Sequence, residues 1–122
     1  MKVSVAQLER VIVLLTIGLA VALQRRKVSA AVANQVLFSP RAMSLLRTAG
    51  VRASVVDLVH AGTEVEDIES LNPDELDSEL RSMIEDALVC LESCEEYDFN
   101  AEKWIVQLLG DARPTTDPDG NG

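Results

Sequence analysis

The stretch that decides the fold is Val11–Leu23, VIVLLTIGLAVAL, which runs for thirteen residues without a charge. Projected at about 100° per residue, its Leu, Val and Ile side chains cover almost the whole circumference of a helix. A helix that is apolar all round is a buried one. We therefore predict that a helix over Val5–Lys27 is the central pole of a bundle. Gly18 lies at its middle and is expected to allow another helix to approach closely.

The same stretch must be weighed as a membrane span or a secretory signal. A span needs about 20 apolar residues, and here charged residues close the window at Glu9-Arg10 and at Arg25–Lys27. A signal peptide would use Lys2 as its charged start and Ala20-Val21-Ala22 as its cleavage site. Because an acid and an arginine precede the apolar run, we expect the helix to be retained and the protein to have no membrane partner.

Composition favours one helical domain. Hydrophobic residues make up 48% of the 122-residue chain and aromatic residues 3%, so the core must consist mainly of Leu, Val, Ile and Ala. Alternating β-branched residues are sparse, which favours helices over strands. The predicted fold class is all-α, a single-domain helical bundle over residues 1–110. Residues 111–122, DARPTTDPDGNG, have no apolar anchor and are predicted to form a disordered C-terminal tail.

Start and stop signals divide the rest of the chain into six further segments. Ser29 caps one segment, Ser39-Pro40 begins the next, and Gly50 ends it. Asn72-Pro73 is the strongest start signal, because acids follow it in the first helical turn. Residues 103–109 could form a strand instead of a helix, and both remain open. The predicted segments are Ala30–Phe38, Pro40–Ala49, Ser54–His60, Thr63–Ser70, Asn72–Tyr97 and Ala101–Leu109.

Charge is divided unevenly along the chain. Residues 1–56 carry eight basic residues and one acid, whereas residues 57–122 carry nineteen acids and three bases. The formal net charge of −9 is therefore +7 in the first half and −16 in the second. This charge fits a basic protein as partner, although attraction between the two halves within the fold would explain it as well.

Two short predicted helices around Gly50, with Arg41, Arg47 and Arg52 nearby, could be mistaken for a DNA-binding helix-turn-helix. Helix pairs joined by a glycine turn are also common as simple packing units. Since phosphate contacts supply much of the affinity for nucleic acid, the large negative charge of the chain opposes such binding. We predict no nucleic-acid partner.

The long helix predicted after Pro73 is amphipathic. Its apolar residues repeat on one face, and its acids fall mostly on the remaining surface. We expect these acids, with others just upstream, to dock on a basic partner, because complementary fields speed association. The candidate partner-binding residues are Glu64, Glu66, Asp67, Glu75, Glu79, Glu85, Asp86, Glu92 and Glu96.

Three other residues are candidates for chemistry. His60 could join the acids that follow it in a Zn²⁺, Mn²⁺ or Fe²⁺ site, but Gly62 should end the helix and prevent an i, i+4 pair. Cys90 and Cys94, the only cysteines, are more typical of core residues than of ligands. We predict no catalytic residue, no metal site and no cofactor, and two free thiols suggest a reducing, cytoplasmic setting.

Two motifs resemble a family of small bacterial proteins of unknown function. One is Leu37-Phe38-Ser39-Pro40, and the other is a His-x-Gly-x-Glu-x-Glu-Asp pattern within His60–Pro73. In that family an apolar N-terminal helix with a Leu-Gly step precedes both motifs, and here Ile17 stands in place of the leucine. The resemblance covers about Val5–Leu109 and implies a helical single domain, a bacterial origin and no mechanism. The matching motif positions, which favour a binding role, are His60, Gly62, Glu64, Glu66 and Asp67.

The most concrete function that these observations support is protein binding, for example by an immunity-type inhibitor of a basic toxin. The alternative is a metal-dependent or small-molecule enzyme centred on His60 and nearby carboxylates. An enzyme would need a concave pocket around His60 with converging carboxylates, whereas a binding module needs a broad exposed acidic face. The sequence is compatible with a homodimer and does not identify the partner.

Overall fold

The computed structural model of the chain describes residues 4–94, 106 and 109–112. These residues contain helices and turns without a strand, which confirms the predicted all-α fold. Val106 and Leu109 are helical, and the rest of the segment left open between helix and strand lies outside the described residues. The helices are α1 Val5–Gln24, α2 Ala30–Val36, α3 Pro40–Thr48, α4 Ala53–Thr63, α5 Val65–Leu71 and α6 Leu76–Glu92, with a 3₁₀ turn at Pro73–Glu75.

Residues 4–95 form one compact unit, and residues 1–3 are grouped with 96–122 in a second unit. In the first unit α1 lies along α6, and α4 contacts both. The pair is antiparallel, because Leu23 near the end of α1 and Leu76 at the start of α6 line the same groove. The predicted boundary at residue 110 and the predicted disordered tail stay predictions.

The core of the first unit lies where α1, α4 and α6 meet. Its members are spaced three, four or seven residues apart on each helix, which puts them on one side. Burial of such side chains contributes about 1.5–3 kcal/mol for each Val or Leu. Among the described residues, the apolar side chains with no exposed surface are Val13, Ala20, Val55, Val59, Leu80 and Ala87.

The predicted place of α1 within the bundle is confirmed by its contacts with α2, α4 and α6, but the helix is not buried all round. Leu14, Leu15 and Val21 are 49%, 38% and 39% exposed. A Cβ atom added to Gly18 would have no neighbour within 4 Å, so none of the described helices approaches there. We call this side of α1 its outer face. It comprises Val11, Leu14, Leu15, Gly18, Val21 and Ala22.

The opposite side of α1 faces the core, and it includes Thr16, whose hydroxyl donates to the carbonyl of Ile12 at 2.8 Å. Apolar composition alone cannot distinguish the two sides, because both carry Leu, Val and Ile. By length and composition α1 is also able to cross a membrane, although 33% of its most apolar window is buried. The helix ends at Gln24 rather than Lys27, and Arg26 takes a left-handed φ of 57° in the turn that follows.

Serine caps fix the starts of the first three helices. Ser4 accepts from the backbone N–H of Gln7 at 3.1 Å, and the Gln7 side chain accepts from the Ser4 N–H at 2.9 Å, which completes a capping box. Ser29 and Ser39 cap α2 and α3 as predicted, with Pro40 at the first position of α3. Local sequence therefore sets these three boundaries.

The end of α4 differs from the prediction. The helix continues past His60 to Thr63, and Gly62 is buried inside it. A Cβ atom at Gly62 would overlap the ring of Phe38, which is 1% exposed. Gly62 is thus a packing position and not a stop signal. It lets the two motifs of the family resemblance, at Phe38 and at Gly62, pack on each other.

Further boundaries also move by a few residues. The segment predicted to start at Thr63 begins at Val65 instead, and the Thr63 hydroxyl donates to the carbonyl of His60 at 2.6 Å. Asn72-Pro73 opens the 3₁₀ turn without a side-chain cap, and α6 begins only at Leu76. The predicted end at Tyr97 lies outside the described residues, and α6 itself ends at Glu92.

Candidate partner-binding surface

The predicted docking residues are exposed wherever the structure describes them. This holds for eight of the nine, and Glu96 lies outside the described residues. Three further exposed acids, which the prediction did not include, are Glu69 in α5, Asp74 in the 3₁₀ turn and Asp77 at the start of α6. We call all eleven the acidic surface. It comprises Glu64, Glu66, Asp67, Glu69, Asp74, Glu75, Asp77, Glu79, Glu85, Asp86 and Glu92.

The acidic surface is poorly neutralised from within. Between residues 64 and 92 the sequence has one basic residue, Arg81. In the described part of the chain, Glu64 is the only member of the surface with a basic side chain within 4.0 Å, and that side chain is His60. No ion pair between described residues joins the basic first half to this surface, because the second pair, Glu9 with Arg52, lies within the first half.

His60 and Glu64 form the i, i+4 pair that the sequence analysis did not expect. His60 Nε2 lies 3.7 Å from Glu64 Oε1, and the two side chains are 58% and 59% exposed. The pair exists because α4 continues through Gly62. An exposed pair of this kind contributes about 0.3–0.5 kcal/mol at most. Among the described residues, no group of three or more His, Cys, Asp or Glu side chains is arranged to hold a metal ion.

Glu9 and Arg52 form a connection that the sequence analysis did not predict. Glu9 is 8% exposed, and its Oε2 accepts from the backbone N–H of Arg52 at 2.7 Å. Its Oε1 lies 3.3 Å from Arg52 Nε, at an angle that makes an ion pair without a hydrogen bond. Arg52 is the N-cap residue of α4, so a carboxylate from α1 stabilises the start of that helix.

The Arg52 guanidinium extends this connection to the end of α6. It donates from Nη1 to the Ser93 carbonyl at 3.2 Å and from Nη2 to the Cys94 thiol at 3.4 Å. The sequence contains one indication of this connection. Glu9 is the lone acid of the first half, and it lies on the core side of α1 with Ile12 and Thr16. These contacts show a structural role for both charged residues.

The two cysteines are free thiols. Cys90 is in the core, and Cys94 packs against it. Burial, and then the neighbouring Cys90, raise the pKa of the Cys94 thiol, and the nearby Arg52 offsets only part of this. The protonated thiol is a weak nucleophile and a weak metal ligand. Cys90 and Cys94 are therefore placed as packing residues.

Two open grooves lie on the described unit. One, of about 330 Å³, runs between α4 and the end of α6 and is lined by Asp57 and Asp86 among others. The other, of about 290 Å³, lies beside Arg26 and Lys27. His60 lines neither groove. The concave centre that an enzyme at His60 would need is therefore not formed by either of them.

Residues 4–106 match a family described as protein of unknown function (DUF3969). The match covers nearly all of the residues that the structure describes, and it agrees with the predicted resemblance to a family without an established activity. No curated protein and no solved structure matches the chain. The comparisons therefore add a family and no substrate, cofactor or partner.

Proposed function

The chain belongs to this family of unknown function, and on that premise we propose that it is a protein-binding module whose acidic surface docks on a basic protein. An immunity-type inhibitor of a basic toxin is the most concrete form of this proposal. A cytoplasmic location goes with it and is supported by the free thiols of Cys90 and Cys94.

One observation carries the proposal: within the described part of the chain, the acidic surface is almost without ion pairs. Eleven exposed carboxylates lie within residues 64–92, and among the described residues only Glu64 has a basic neighbour. A simpler explanation of the segregated charge is that the arginine-rich half neutralises the acidic one. In the described part of the chain, however, no ion pair joins the two halves. A field of one sign over a broad surface attracts a partner of opposite charge and raises the association rate.

The same surface argues against nucleic acid as the partner. In a helix-turn-helix the second helix would enter the major groove. Here that helix is α4, and its exposed residues include Asp57 and His60, with Glu64 directly after it. Arg52, which lies at its start, is engaged by Glu9. Carboxylates on this side would repel the phosphates on which such affinity depends.

The test compares two variants with the same change in net charge. Glu85→Gln with Asp86→Asn removes two charges from the acidic surface, whereas Gln35→Lys with Ser44→Lys adds two at exposed positions of the other half. A basic partner is first isolated from the native host at low salt. We expect the first variant alone to slow association several-fold at 0.1 M salt, where the Debye length is about 10 Å, and hardly at 1 M salt, where it is about 3 Å.

Equal association rates for the wild type and the Glu85/Asp86 variant would show that this surface does not dock. Equal slowing by both variants would mean that net charge alone matters. Circular dichroism melts of each variant establish that it is folded before the rates are compared.

A further inference from the structure

The outer face of α1 is apolar over three turns, and no described helix covers its middle at Gly18. Leu14, Leu15 and Val21 are 38–49% exposed, and the space above Gly18 is open. The remaining side of the helix faces the core. Exposed apolar patches on a small protein usually mark an interaction site. The charged residues beside the outer face indicate which kind of surface it binds.

The described charges at the end of the outer face are mostly basic, although Glu69 of α5 lines the same groove as Arg26 and Lys27. The only acid in α1 is Glu9, which points to the core and is engaged by Arg52. Directly beyond the outer face lie Arg25, Arg26 and Lys27, all exposed in the turn that ends α1. The left-handed Arg26 closes this turn, and the Lys27 N–H donates to the carbonyl of Ala22 at 2.9 Å. Three cations are thereby fixed at one end of an apolar face.

We propose that the outer face of α1 docks on an anionic lipid surface, with the helix lying in the plane of the interface. Leu14, Leu15 and Val21 enter the boundary between headgroups and acyl chains, as the apolar side of an interfacial helix does. Arg25, Arg26 and Lys27 contact the anionic headgroups, which attract basic residues near the membrane surface. This replaces the expectation that the protein has no membrane partner.

Docking, rather than insertion, follows from the other side of the helix. Val13 and Ala20 have no exposed surface, and Glu9 holds Arg52, so a spanning α1 would have to leave the core. α6 packs on the buried side of α1. The acids on the exposed side of α6 are therefore kept behind the buried side of α1, away from the anionic surface. In this orientation the acids of α6 are therefore not the ones that meet the anionic surface.

A second copy of the chain fits the outer face less well. A stable protein interface buries at least about 1,200 Å² in total, and three partly exposed side chains of Leu and Val provide only a fraction of that area. A parallel pairing would also bring two sets of Arg25, Arg26 and Lys27 together. An interfacial helix has no such minimum area, because the lipid adapts to its shape.

The experiment is flotation of the full chain with vesicles of phosphatidylglycerol and phosphatidylcholine in equal parts, compared with vesicles of phosphatidylcholine alone, at 0.1 M salt. We expect binding to the anionic vesicles and at least about tenfold less to the neutral ones. Leu14→Glu should abolish binding, whereas Val89→Glu, which changes a 65% exposed residue of α6, should not. Arg25→Gln with Lys27→Gln should weaken binding, whereas Arg41→Gln with Arg47→Gln removes the same charge elsewhere and should leave it intact.

Several outcomes would overturn the proposal. One is that the folded wild type binds no vesicles, and another is that it binds neutral and anionic vesicles equally. A third is that a variant and its control lose the same amount of binding. Analytical ultracentrifugation provides a further test. If the wild type does not bind vesicles but forms a dimer, and Leu14→Glu dissociates that dimer, the outer face binds a second copy and not a lipid surface. Binding that appears only after deletion of residues 101–122 would also overturn it, since the chain would then cover its own outer face.

Discussion

At the scale of single residues, the two helical glycines of α1 and α4 have opposite roles. Gly62 is buried, and the ring of Phe38 occupies the place where a side chain would begin. Gly18 is exposed with nothing above it. From sequence alone the assignments were reversed, with Gly18 as the packing glycine and Gly62 as the helix end. Both glycines interrupt an apolar pattern, and only the path of the neighbouring chain tells them apart.

We expect Gly62→Ala to destabilise the protein and Gly18→Ala to stabilise it. The added methyl group at 62 must displace Phe38, and overpacking of this kind usually costs about 1–3 kcal/mol. At 18 the same change gains up to about 1 kcal/mol of helix propensity. Urea denaturation followed by circular dichroism measures both free energies of unfolding. A Gly62→Ala protein as stable as the wild type would contradict the packing role.

At the scale of the elements, the positions of the helices could be predicted from sequence better than the residues that each helix contacts. Ser29 and Ser39-Pro40 are local signals that act on their own helices, and these starts are confirmed. The start of α4 is different, because its N-cap residue Arg52 has no side-chain cap and its N–H is held by Glu9 from a distant helix. No local pattern encodes such a contact. The acids of the candidate site were visible from helical periodicity, whereas the lack of internal partners required the structure.

A prediction at this scale concerns the two sides of α1. Leu19 is 8% exposed and Leu15 is 38% exposed, although both belong to the same apolar run. Leu19→Asp places an unpaired charge in the core, and we expect a loss of about 3–5 kcal/mol from a typical total of about 5–15 kcal/mol. Leu15→Asp on the outer face should cost about 1 kcal/mol or less. Thermal melts of the two variants distinguish them, and equal losses would mean that both sides are buried.

At the scale of the whole molecule, the described unit carries strong charge that its own ion pairs do not balance. Eleven carboxylates within residues 64–92 repel one another at low ionic strength, and this opposes the compact state. The unfolded chain separates the same charges. Salt therefore affects stability as well as association.

We expect the melting temperature to rise when salt is increased from about 0.01 M to about 0.5 M, because the Debye length falls from about 30 Å to a few ångströms. A gain of about 1 kcal/mol would raise the melting temperature by about 4 °C in a domain of this size. Glu85→Gln with Asp86→Asn should show a smaller rise. Sodium chloride titrations by calorimetry provide the measurement, and a salt-independent melting temperature would show that the carboxylates do not interact.

The connection from Glu9 through Arg52 to Ser93 also has a consequence for synthesis on the ribosome. It joins residues that are 43 and 41 positions apart, and α1 reaches its main packing partner, α6, only when most of the unit has been made. At translation rates of about 5–20 residues per second, α1 waits roughly 3–14 s for α6 after it has been synthesised. During that interval the outer face and the part of the core side that packs on α6 are uncovered. We therefore expect the nascent chain to bind factors that recognise hydrophobic helices until the core side of α1 is covered.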